Sequence, residues 1–148
     1  IDLAVNPNVI TSAVNMSMAQ RLVRQLCDNC AEKREPTEQE RQQIDSIIES
    51  IDDESYVEEL QTEHIWEAKG CTECNNIGYD GRVGIFEAIL GDTSLEGVLD
   101  GEPSIREIWD AVHSQNILRM RQDGLLKVLE GKTSLAELGR VVDLDAEL

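Results

Sequence analysis

Aromatic and basic side chains are both scarce in this sequence, and each shortage excludes something. Only Tyr56, Trp66, Tyr79, Phe86 and Trp109 are aromatic. A core must therefore come from Ile, Leu, Val and Met, which a hydrophobic content of 41% supplies. Thirteen Lys and Arg face 30 Asp and Glu, for a net charge of −17. That charge repels a phosphate backbone and argues against nucleic acid as a direct partner. No apolar run approaches the roughly 20 residues of a membrane span, so direct membrane insertion is excluded as well. Residues 1–20 lack the charged start and small-residue cleavage site of a secretory leader. Catalytic signatures are missing too. Gly131-Lys132-Thr133 looks like the tail of a phosphate loop, but that loop needs glycine where Leu126 stands and a hydrophobic strand before it. The tripeptide reads instead as a joint between two helices. His64 and His113 stand alone, with no Ser/His/Asp set and no helix-borne HExxH around them. The 148 residues amount to about one soluble globular domain, with no catalytic residue to assign.

What the chain does have is four cysteines, all spent on two CxxC pairs: Cys27 and Cys30, then Cys71 and Cys74. Two short chelate loops offer the four soft ligands that Zn²⁺ takes in tetrahedral array. Two disulfides are the alternative in a secreted domain, and the paired spacing without a leader argues against them. A thioredoxin-like redox motif needs one pair opening a helix within a βαβ unit; here each pair runs into polar residues or glycine. The four cysteines read as one structural zinc site. A full set of four thiolate ligands leaves no open coordination position for catalysis. The 40 residues between the pairs exceed the about 12 to 20 usual in zinc ribbons and fingers, so a folded unit must lie between them. That stretch is acidic: Ala31 to Glu63 carries twelve acids against three bases, a net of −9, and reads as a solvated face, with a docking surface for a basic partner as the alternative.

Taken in order, Asn6-Pro7 starts a helix to about Asn15. Residues 16–26 fit either alternation or a helix, and periodicity leaves the choice open. Thr37 as cap and Glu40 as capping-box acid open a helix whose apolar stripe is Ile44, Ile47, Ile48 and Ile51. His64 to Ala68 is strand-like. Asn75 to Gly81 is turn chemistry, and Arg82 to Ile89 alternates as a strand with Val83, Ile85 and Glu87 on one face. Four helical pieces follow: Thr93 to Leu99; Ile105 to Ser114 with Ile105, Ile108, Trp109 and Val112 inward; Leu118 to Glu130 with Met120, Leu125 and Val128 inward; and a last helix opened by Thr133-Ser134.

Three stretches carry a resemblance: Ala19 to Cys30 (AQRLVRQLCDNC), Gly70 to Glu87 (GCTECNNIGYDGRVGIFE) and Arg121 to Glu137 (RQDGLLKVLEGKTSLAE). Together they resemble the C-terminal part of the motor ATPases of type II secretion and type IV pilus assembly, in the class that binds zinc through four cysteines. The resemblance implies an α+β, mainly helical fold at the edge of a RecA-like sheet, with strands at about 16–26 and 82–89. It implies four segments: residues 1–26 ending the ATPase core, 27–81 as the tetracysteine zinc-binding subdomain, 82–90 as the returning core strand, and 91–148 as a helical subdomain. It further implies that the phosphate loop and the other catalytic motifs lie outside this stretch, so that ATP and Mg²⁺ belong to a full-length, hexameric parent. The implied partners are inner-membrane platform and assembly proteins, at the cytoplasmic face of a bacterial inner membrane. Arg21, Arg24 and Arg82 are candidates to reach a neighbouring subunit or a nucleotide, or else to pair with Glu87 or the acidic insert. The alternative is a free-standing zinc-stabilised adaptor, which the absence of Met at position 1 disfavours; a thiol-disulfide protein is the third possibility.

Overall fold

The computed structural model describes residues 13–58, 60–99 and 103–145. The chain order is β1 (Met16–Leu26), β2 (Ala31–Arg34), α1 (Glu38–Glu49), a 3-10 turn (Glu54–Tyr56), β3 (Ile65–Ala68), β4 (Tyr79–Leu90), α2 (Thr93–Leu99), α3 (Ile105–His113), α4 (Met120–Leu129) and α5 (Leu135–Val141). Among the described residues the fold is mixed α/β, with five helices and two two-stranded sheets, β1 with β4 and β2 with β3. The helix expected over Pro7 to Asn15 lies for the most part outside the described residues. Residues 16–26, which periodicity left open, are a strand. The Cys27 N–H donates to Gly78 O beyond one end of the β1–β4 pair, and the Gly91 N–H to Asn15 O beyond the other. The start of each strand thus meets the end of its partner, and the pair is antiparallel.

Two compact units divide the chain: residues 1–19 with 87–117, and residues 20–86 with 118–148. In the first, α2 packs on α3. Asp92 accepts from the Leu95 N–H to cap α2. Gln115, just past α3, fixes the chain where β4 gives way to α2: its amide accepts from Leu90 N–H and donates to Leu90 O and Asp92 Oδ2. Ser104 and Glu107 form a reciprocal capping box on α3. Val112 is buried, but Ile105, expected on the inward stripe, is 76% exposed. It occupies the first turn of α3.

The second unit holds the core. Val23 of β1 and Ile85 of β4 meet Ile44 and Ile47 of α1, Ile65 of β3, and Leu125, Val128, Leu135 and Leu138 of the last two helices. The residues between the cysteine pairs therefore share one core with the C-terminal helices. The Thr37/Glu40 capping box stops α1 from fraying at its start, which lets the Ile44–Ile47 stripe face α4. Ser50, the C-terminal cap of α1, accepts from Gln122 Nε2 at both its carbonyl and its hydroxyl. The Gly124 Cα lies against Leu138, so α4 and α5 approach closely. Asp123 accepts from the Phe86 backbone N–H of β4 at 2.8 Å.

Candidate metal centre

The two CxxC pairs arrive from opposite sides. Cys27 is the residue after β1, and the turn Cys27–Cys30 is closed by Cys30 N–H and Ala31 N–H donating to Cys27 O. The second pair sits in the loop between β3 and β4, folded by Asn76 N–H to Cys71 O and Ile77 N–H to Cys74 O. That loop needs left-handed backbone, with φ of 53° at Asn75, 61° at Asn76 and 81° at Gly78. These are residue types that tolerate such angles. At Gly78 a side chain would also strike Ala68, its Cβ falling 2.6 Å from the Ala68 Cβ. The β2–β3 ladder pairs Ala31 with Ala68 and Arg34 with Ile65, so it brings the residue after Cys30 beside the strand that leads to Cys71.

The four sulfurs converge. Cys27, Cys30, Cys71 and Cys74 place their Sγ atoms all within 4.8 Å of one another. Cys27 and Cys71 are 3.9 Å apart, Cys30 and Cys74 3.8 Å, Cys71 and Cys74 3.7 Å. None is in a disulfide. Four sulfurs at about 2.3 Å from a central ion would stand about 3.8 Å apart along each tetrahedral edge, so the donor set fits a tetrahedral metal ion. Cys27 and Cys74 are buried. Backbone N–H groups of Cys71 and Gly78 point at the Cys74 Sγ, each at 3.2 Å. Against the desolvation of burial, these N–H groups and the Cys71 and Cys30 thiols bring Cys74 down to about 6. Desolvation pushes the Cys30 thiol up to about 12. Four contacting thiols cannot all ionise without a cation to offset their mutual repulsion.

A polar cluster that sequence reading missed in part joins β1 to α5. Glu137 on α5 is 1% exposed. It accepts from Arg24 N–H at 3.0 Å, Arg24 Nε at 2.9 Å and Arg24 Nη2 at 2.6 Å. Arg140 adds Nε at 3.0 Å and Nη2 at 2.8 Å. The Arg140 and Arg24 guanidinium groups hold the Glu137 carboxyl at about 2, against its desolvation. The Arg24 guanidinium also lies over the Tyr79 ring at 4.2 Å. Arg24 does pair with an acid, and that acid is Glu137 rather than Glu87 or one in the insert. Arg21 donates to Val141 O. The signal available was Glu137 in the third resembling stretch; nothing local tied it to Arg24, 113 residues away.

No described helix is long and apolar enough to cross a membrane. The family model described as "Type II/IV secretion system protein" matches residues 1–140. The chain is 36% identical over 148 residues to the type II secretion system protein E of Aeromonas hydrophila, covering 97% of this chain and 26% of that protein. It is 34% identical over 143 residues to the type IV pilus assembly ATPase TfpB of Acinetobacter baylyi, covering 97% of this chain and 23% of that one. With the type II secretion system ATPase E of Vibrio cholerae it shares 34% identity over 140 residues, 95% of this chain and 25% of the relative. The chain thus spans about a quarter of the length of these relatives, and its tetracysteine cluster sits within the matched residues. On that match the chain belongs to the type II/IV secretion system protein family.

Proposed function

We propose that this chain is the C-terminal region of a hexameric motor ATPase that powers type II protein secretion or type IV pilus assembly. In this reading the four cysteines hold a structural zinc ion, and β1 and β4 form the edge of a RecA-like sheet. The observation that carries it is the spacing of the four sulfurs at the point where β1 ends and the loop into β4 begins. Zinc, when bound, supplies the charge that four thiolates need and leaves no open position for a substrate. Cys27, Cys30, Cys71 and Cys74 then clip the root of the inserted segment. Closing a loop of that length costs several kcal/mol of chain entropy, of order 3–5 kcal/mol. Structural zinc sites in small peptides return roughly 10–16 kcal/mol, so the clip dominates. The clipped segment serves as a fixed surface for inner-membrane platform and assembly proteins at the cytoplasmic face. ATP and Mg²⁺ are the business of the full-length parent, because the residues here include no phosphate loop.

Purified without added zinc, the chain is expected to carry one zinc and to retain the cytoplasmic domain of an inner-membrane platform protein in a pulldown. It is expected to hydrolyse no ATP by itself. ATP turnover by this chain alone, or a metal-free protein with intact thiols, would overturn the assignment.

A further inference from the structure

We infer that the tetracysteine centre is coupled to the N-terminal cap of α5, so that metal binding sets the order of the C-terminal helices as well as that of the inserted segment. The inference rests on the metal reading above. Both strands that leave the centre engage the same three residues, Lys132 to Ser134, by separate routes. On the β1 side, Leu26, next to Cys27, donates its N–H to Lys132 O at 2.9 Å. Two residues earlier, Arg24 O accepts from the Thr133 hydroxyl at 2.8 Å. On the β4 side, the Gly78 N–H contacts the Cys74 sulfur, and the next residue, Tyr79, places its hydroxyl 2.6 Å from the Ser134 Oγ. Ser134 is the N-cap of α5, its hydroxyl accepting from the Glu137 N–H. Glu137 in turn receives Arg24.

The cap is thus built from two strand ends, and their separation is fixed where Cys27 and Cys74 share one centre. Thr133 is fully buried and Ser134 is 4% exposed, so neither can exchange its partner for water without opening the core. When the sulfurs are no longer held together, the Cys27 and Gly78 ends keep only the backbone bond from Cys27 N–H to Gly78 O at the end of the β1–β4 pair. The two supports of the cap are then held less firmly against each other. Trp66 of β3 adds a third link, since its indole lies against Gly131, the left-handed residue (φ 75°) in the joint between α4 and α5.

Hydrogen exchange on the zinc-loaded and chelator-treated protein reads this directly, with zinc content measured in parallel. Chelation is expected to raise amide exchange over Leu135–Val141 by about tenfold or more, the scale of a local opening. The α2–α3 amides of the other unit serve as the internal reference. With one zinc per chain, faster exchange confined to residues 28–77 would overturn the coupling and leave the metal reading standing. A protein purified with four free thiols and no metal would overturn both. Tyr79→Phe and Thr133→Val keep the test sharp should the metal-free chain unfold outright. Neither replaces a cysteine, and coupling is reciprocal. Each is expected to weaken zinc affinity by about threefold to tenfold in competition with a chromophoric chelator. Unchanged affinity in both would contradict the inference.

Discussion

Arg24 on β1 and Glu137 on α5 meet through three hydrogen bonds, one from backbone and two from the guanidinium, with the carboxylate wholly enclosed. A carboxylate placed there is costly unless every partner is kept. Glu137→Ala is therefore expected to destabilise the chain by about 3 kcal/mol, because two guanidinium groups and the Arg24 N–H lose their acceptor. Arg140→Ala should cost under about 1 kcal/mol, since that side chain is 60% exposed. Urea midpoints compared at constant slope check the pair; a Glu137→Ala loss no larger than that of Arg140→Ala contradicts this account.

Acid should weaken the fold in a window set by two carboxyls. Glu137 and Glu40 are each lowered to about 2 from 4.5, the latter by Arg34, whose guanidinium grips both of its oxygens. A lowered folded value means stability that is complete above the ordinary carboxylate value and lost as pH falls through the folded one. Urea unfolding followed from pH 6 to about pH 2.5 should show this decline, and Glu137→Gln should flatten part of it. An identical slope in the variant would show that Glu137 is not a source.

Two glycines in helices should respond oppositely to alanine. At Gly124 a Cβ would fall 2.3 Å from Leu138 Cδ1, and Leu138 is fully buried. Gly124→Ala is expected to cost about 1–3 kcal/mol by overpacking, outweighing the gain in helix propensity. No described atom lies within 4 Å of a Cβ at Gly97, and Gly97→Ala should stabilise α2 by roughly 0.5–1 kcal/mol. Thermal melts of both variants check the signs.

What the sequence made legible was local. Thr37 and Glu40 announce the start of α1, and Asn75, Asn76 and Gly78 take the positive angles their chemistry permits. Gly131-Lys132-Thr133 joins two helices, and Val83 and Ile85 alternate inward in β4. The paired cysteines were legible because two chelate loops are a pattern in one dimension. What was not legible depends on partners far along the chain. Strand β2 is four residues, AEKR, with both central side chains exposed, so no apolar alternation marks it; its ladder with β3 defines it. Ile105 fits the helical period yet sits in the first turn of α3, exposed. The merging of α1 with α4 and α5 into one core follows from Ile44 and Ile47 facing Leu125 and Val128, which no local pattern states.

X-ray absorption at the zinc edge, on protein purified without added metal, tests the central claim most directly. The account predicts one zinc per chain with four sulfur neighbours at about 2.3 Å and no nitrogen or oxygen in the shell. A metal-free protein, a shell with light-atom ligands, or cysteines joined as disulfides would contradict it.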